Sequence, residues 1–260
     1  MKAFIMAFER QEGKHNGGAL LNSCMGVFEG RHLIQYSLDA AIECKVEEIL
    51  IAVSSGAEEI VNAFGITYRD IRIKYVLLKE EHGFLDALRL SRDALECDDF
   101  VIFKGDEIVR NAHPSEMIEN FYVQDLFIEC GVVPLPAAQI VGRGYGLMYD
   151  PFDYRVYRIV DKPRRAINRF MGTSICVFRN EIVEYLEPVY SRDSCDKDGL
   201  PDLIQRVIDD GYPVKLFLLG SACIGMNVVS ASDSGVSGSD DVEQGWAGEP
   251  EWKLELEPVF

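Results

Sequence analysis

No two of the seven cysteines stand at C-x-x-C spacing, and the four histidines are as scattered as the thiols. That excludes a zinc ribbon and a disulfide framework, and it leaves reduced thiols. Positive charge is scarce as well, with 26 Lys and Arg against 43 Asp and Glu, a formal charge of −17 over 260 residues. A chain so acidic has no surplus cations to displace counterions from nucleic-acid phosphates or to hold an anionic membrane. No apolar run approaches the ~20 residues of a spanning helix. The opening Met1-Lys-Ala-Phe-Ile-Met-Ala7 turns polar too soon for a secretory leader. These absences point to a soluble, cytoplasmic protein with no nucleic-acid or membrane partner.

Apolar residues make up 48 % of the chain, enough for a sizeable core. Short apolar runs at 3–7, 48–53, 71–78 and 100–103 read as buried strands. Between them, 32–44, 58–64 and 83–95 carry apolar residues at helical spacing. That alternation predicts crossover units and a mainly parallel sheet. From residue 126 the rhythm changes to strands at 126–133, 143–149, 155–160, 173–178 and 214–219, with helices at 180–187 and 201–210. This half is expected to extend the sheet with antiparallel and mixed strands. Residues 1–233 form one expected domain. Residues 234–260, Ser/Gly-rich and then acidic with seven acids and one lysine, form an expected flexible tail.

Several segments, in order, resemble the sugar-1-phosphate nucleotidyltransferases, which include the glucose-1-phosphate thymidylyl- and uridylyltransferases. Met1–Ala7 resembles their first strand, and Phe28-Glu-Gly-Arg-His-Leu-Ile-Gln-Tyr-Ser-Leu38 their "V-N-G-K-P-L-I-E-Y-S-L". Gly105-Asp106 is similar to their metal-binding Gly-Asp. Gly144-Tyr-Gly-Leu147 and Val160-Asp-Lys-Pro163 are similar to their "Y-G-V" and "V-E-K-P" sugar-site motifs. Gly172–Phe178 resembles the strand that follows, and Asn227–Asp233 resembles "N-V-N-T-P-E-D". The resemblance implies an α/β, Rossmann-like nucleotidyltransferase fold, with a mixed, mostly parallel central sheet flanked by helices. It implies substrate contacts at Gly146, Asp161, Lys162 and Gly172, nucleotide contacts at Arg10 and Gly83, and Mg²⁺ held by Asp106 and Asn227. Asp106, Asn227, Lys162 and Gly146 are then expected in one cleft at the carboxyl ends of the parallel strands.

In that family a sugar-phosphate oxygen attacks a nucleoside triphosphate and pyrophosphate leaves, so catalysis rests on positioning and on neutralising charge. This chain departs from the pattern where that chemistry needs it. In the first loop, G-G-x-G-T-R-L becomes Phe8, Glu9, Arg10, Gln11, Glu12 and Gly13. The P-K-P lysine becomes Ser23, and a glutamine often used to read the base becomes Leu78. One like-charge pair 4 Å apart costs about 4 kcal/mol at an effective dielectric of 20, and Glu9 and Glu12 would face a triphosphate. Two readings follow. One is a homologue with weak or lost pyrophosphorylase chemistry that keeps a sugar phosphate, a nucleotide-sugar or a protein partner. The other is an active enzyme with a remodelled loop. A glycosyltransferase is a third, but Gly105-Asp106-Glu107 lacks D-x-D.

Other signals carry less. Gly142-Arg-Gly-Tyr-Gly146 precedes a strand and is no dinucleotide loop. Cys195 has no histidine near it in sequence, and the Asp193, Asp196, Asp198 spacing lacks the glycine and glutamate of a calcium loop. Arg164-Arg165 beside Lys162 is a small basic cluster, either an anion contact or a solvated turn. A homo-oligomer is left open.

Overall fold

A computed structural model describes residues 1–8, 22–54, 57–79, 83–95, 98–135, 144–186 and 199–225. The first apolar run is β1 (Lys2–Ala7). A turn of 3-10 helix (Ser23–Met25) and a short hairpin, β2 (Val27–Phe28) and β3 (Arg31–His32), lead into α1 (Leu33–Glu43). Then come β4 (Glu48–Val53), α2 (Ala57–Phe64), β5 (Thr67–Tyr68), β6 (Ile71–Leu77), α3 (Phe84–Leu95) and β7 (Phe100–Lys104). All six residues of β4 are buried, as its unbroken apolar run requires of a central parallel strand. Gly65 closes α2 with φ +63°, a left-handed conformation that glycine adopts without strain.

The second half holds β8 (Glu107–Arg110), α4 (Pro114–Val123), β9 (Ile128–Pro134), β10 (Tyr145–Tyr149), β11 (Val156–Asp161) and β12 (Phe170–Phe178). A 3-10 helix (Asn180–Leu186), α5 (Leu200–Asp209), β13 (Val214–Leu218) and β14 (Ala222–Gly225) follow. The main sheet runs β11-β10-β12-β7-β1-β4-β6-β5, with β9 and β13 joined through β12. β7, β1, β4 and β6 are parallel, while β12 lies antiparallel to β7, β9 and β10. The parallel first half and mixed second half therefore stand as the sequence implies. The 180–187 helix is wound as 3-10, and the helix at 114–123 and the β8–β14 pair are additions.

The sheet's alternating side chains fill two cores. Phe4, Leu50, Phe100 and Ile102 pack on one face with α3 and α5, and Ala3, Ile5, Ile49 and Val101 on the other with α1 and α4. Among the described residues the five cysteines are free, in keeping with reduced thiols, and no helix is long and apolar enough to cross a membrane. The expected boundary at 233 and the 234–260 segment lie outside the described residues.

Candidate functional site at the carboxyl edge of the parallel strands

Strand register puts the ends of β1, β4, β6 and β7 along one edge, because Met6 pairs with Lys104, Ala7 with Val53 and Val53 with Leu77. The chain returns to that edge at Asn22. Its buried side-chain amide donates to the Ala7 carbonyl at 2.7 Å, and its oxygen accepts from the Cys24 N–H at 3.0 Å. Ser23, at the family's lysine position, is only 3 % exposed. Cys24 packs against Gly105, where a Cβ would lie 2.9 Å from its Sγ and 3.1 Å from the Met6 carbonyl. Glycine is what lets β7 turn so close to β1.

Past that turn, Asp106 is buried. Its Oδ1 accepts no hydrogen bond, and the Lys104 ammonium stands 3.5 Å away. Glu107 turns to β12, where the Ser174 N–H (2.9 Å) and hydroxyl (3.1 Å) donate to its two oxygens. Burial pushes the Glu107 carboxyl above its ordinary pKa, while the Ser174 bonds and nearby Lys104 pull it back. Burial and the Glu107 charge likewise push up the Cys223 thiol across the β8–β14 pair. Lys104, Glu107, Ser174 and Cys223 did not emerge from the sequence as a group. The only local signal was a lysine immediately before the Gly-Asp turn.

β12 carries the edge onward. Gly172 pairs with Tyr145, and a Cβ there would lie 2.1 Å from the Tyr145 ring, so Gly172 has a packing reason of its own. Gly146 follows on β10, opposite Val160. Asp161 and Lys162 are exposed at the end of β11. Lys162 takes φ +39°, uncommon for a side-chain-bearing residue, and its N–H donates to the Gly144 carbonyl at 2.9 Å. Asp106, Gly146, Asp161, Lys162 and Gly172 are thus strung along β12 and its neighbours. Gly83 stands apart from them in the chain, its N–H 3.4 Å from the Asp86 carboxylate at the start of α3. Leu78, which the resemblance sets at a base-reading position, is buried in the core. Arg10 and Asn227, with Glu9 and Glu12, lie outside the described residues.

Asp106 decides how well these residues fit a divalent cation. Its orphaned oxygen is what a ligand needs, but Lys104 already faces it and Glu107 is engaged by Ser174. Among the described residues no three His, Cys, Asp or Glu side chains are placed so that they could hold a metal ion together. Mg²⁺ takes six oxygen-type ligands, and a divalent ion ~4 Å from an ammonium meets roughly 8 kcal/mol of repulsion at a dielectric of 20. Among the described residues, then, Asp106 is the one expected ligand present and it stands beside a lysine, while Asn227 lies outside them.

The family model described as nucleotidyl transferase matches residues 24–246. A low-salt glycan biosynthesis nucleotidyltransferase of Haloferax volcanii is 23 % identical over 187 residues, 70 % of this chain and 50 % of that protein. A UTP–glucose-1-phosphate uridylyltransferase of Staphylococcus haemolyticus is 25 % identical over 184 residues, 68 % of this chain and 59 % of that protein. The chain thus spans between half and three-fifths of these curated relatives. In fold it is similar to a UDP-glucose pyrophosphorylase complexed with UDP-glucose, with a TM-score of 0.72 at 14 % identity, covering 90 % of this chain and 97 % of that one.

Proposed function

This chain belongs to the nucleotidyl transferase family, and we propose that it binds a sugar phosphate or nucleotide-sugar while its pyrophosphorylase chemistry is weak or lost. Ser23 carries this reading. Where the resemblance puts a lysine to balance phosphate charge, a short hydroxyl sits 3 % exposed inside the turn that Asn22 clamps to β1. Leu78 supports it, because a buried leucine has no polar group with which to read a base edge. The sugar-side positions, by contrast, keep Gly146, Asp161 and Lys162. The ligand-binding domain is assigned to 1–233, with 234–260 outside it.

In this reading Lys162, exposed at the end of β11, meets the phosphate, while the buried Gly146 lets Pro163 and Ile167 pack down over β10. Lys104 supplies, beside Asp106, the positive charge that the resemblance gives to Mg²⁺, so no step runs through a metal. Thermal shift with UDP-glucose and glucose 1-phosphate tests this. A ligand at about 100 times its Kd adds about 2.7 kcal/mol, roughly 5–10 °C for a domain of this size. The shift is expected to be as large in EDTA as in Mg²⁺. A shift that needs Mg²⁺, or one seen only with nucleoside triphosphates, would favour the active enzyme.

A further inference from the structure

Against the acidity of the whole chain, the most basic stretch of this protein lies beside Gly146. Residues 162–169 hold Lys162, Arg164, Arg165 and Arg169 and no acid, in a chain of charge −17. All four are exposed. Several exposed or half-buried arginines elsewhere are paired, as Arg31 and Arg69 are with Asp39 and Arg179 is with Asp99 and Asp125. None of these four forms an ion pair among the described residues; Arg169 only lies over the Phe170 ring, 5.9 Å from its centroid.

The bend that carries them is fixed at both ends. The Lys162 N–H donates to the Gly144 carbonyl at 2.9 Å, and the Leu135 N–H to the Arg169 carbonyl at 2.9 Å. In between, the Asn168 side-chain amide donates to the Leu147 carbonyl at 2.5 Å, and its oxygen accepts from the Phe170 N–H at 2.8 Å. Pro163 and Ile167 are folded over Gly146. A Cβ on that glycine would lie 3.0 Å from Ile167 Cδ1 and 3.6 Å from Pro163 Cγ. Arg164 and Arg165 stand between those two residues in sequence, so the bend that follows Lys162, the proposed phosphate contact, presents two exposed guanidinium groups that form no ion pair among the described residues.

We propose that the sugar phosphate this site takes carries a second anionic group on its sugar, read by Arg164 and Arg165. A guanidinium fork suits a carboxylate or a phosphate, each able to accept two parallel N–H bonds. The two sources of that chemistry are a uronic acid 1-phosphate and a sugar bisphosphate. The proposal rests on the sugar-phosphate reading of the site.

Calorimetric titration at fixed ionic strength with glucose 1-phosphate, glucuronic acid 1-phosphate and glucose 1,6-bisphosphate tests it. One of the two doubly anionic ligands is expected to bind about tenfold or more tighter than glucose 1-phosphate, since a hydrogen bond to a charged group is worth ~1.5–3 kcal/mol. Which one does so identifies the source. Arg164→Gln with Arg165→Gln is expected to erase the preference and to leave glucose 1-phosphate binding within about twofold, with unchanged melting because both side chains are exposed. Equal affinity for all three ligands, or a preference that survives the double substitution, overturns the proposal alone. Binding of none of the three by the unaltered protein overturns it together with the sugar-phosphate reading.

Discussion

Gly172→Val is expected to unfold this domain near physiological temperature, and Gly172→Ala to cost at least about 3 kcal/mol. Overpacking a well-filled core costs ~1–3 kcal/mol when neighbours can yield, and here they cannot. A Cβ at 172 would lie 2.1 Å from Tyr145 Cε2 and 2.2 Å from its Cζ. That ring is 4 % exposed. Its hydroxyl donates to the Thr173 carbonyl at 2.9 Å and lies 3.5 Å from Cys176 Sγ. Displacing the ring therefore also strands a buried hydroxyl, which adds ~1–3 kcal/mol. A loss of about 3 kcal/mol lowers Tm by roughly 6–12 °C in a domain of this size. Pairing Gly172→Ala with Tyr145→Leu is expected to recover part of the loss, since the two positions share one volume. A Gly172→Ala protein with unchanged melting but weakened UDP-glucose binding would instead assign this glycine to the ligand.

The second large effect concerns Glu129, on β9, whose side chain is 0 % exposed. Asn120 of α4 donates to Oε1, and Oε2 is buried without a partner. Burial raises its pKa from 4.5 to about 8, against the opposing pull of the Asn120 bond and of Lys215 on β13. A carboxyl raised in the folded state contributes stability that is fully present below the unfolded pKa and is lost as pH rises through the folded one. Stability should thus decline from about pH 4.5 to 8. Each tenfold change in acidity is worth about 1.4 kcal/mol, so Glu129→Gln is expected to gain up to about 5 kcal/mol at about pH 9 and almost nothing near pH 4. Urea unfolding of both proteins across that range checks it. Parallel stability curves would show that Glu129 is ionised in the folded state at neutral pH.

The parallel half of the fold was legible because burial on both faces writes an unmistakable apolar run. Ile49, Leu50, Ile51, Ala52 and Val53 allow little else. The helix at Pro114–Val123 was missed although its signal is local, with Pro114 at the first turn and Met117 and Phe121 one helical turn apart, both buried. β14 could not be read locally. It is four residues long, and its partner β8 lies more than a hundred residues earlier in the chain. The site divides in the same way. Gly105 and Asp106 follow a strand whose apolar run is plain, so their place at the carboxyl edge was predictable. The attachment of Glu107 to Ser174 was not. It depends on β12 shifting register between Gly172 and Cys176, where the Thr173 hydroxyl donates to the Gly131 carbonyl at 2.9 Å. Nothing in the spacing of Thr173-Ser174-Ile175 announces that shift. Lys104 was visible as a residue, but its role against Asp106 needed the turn that brings the two within 3.5 Å.

In the proposed function, charge balance for a departing pyrophosphate has been lost while the sugar side is kept. Removing one arginine that stabilises a transferring phosphoryl group costs about 10³-fold or more. Here the resemblance puts the buried Ser23 at the lysine position and Gly13 at the arginine position, and the loop carries Glu9 and Glu12 where the family has a glycine and a threonine. Pyrophosphate release, measured with the common nucleoside triphosphates against glucose 1-phosphate and glucuronic acid 1-phosphate in Mg²⁺, tests this most directly. Turnover is expected to fall at least about 10³-fold below the usual enzyme range of roughly 1–10³ s⁻¹. Turnover near 1 s⁻¹ with any pair, at the low end of that range, would contradict it and establish an active nucleotidyltransferase.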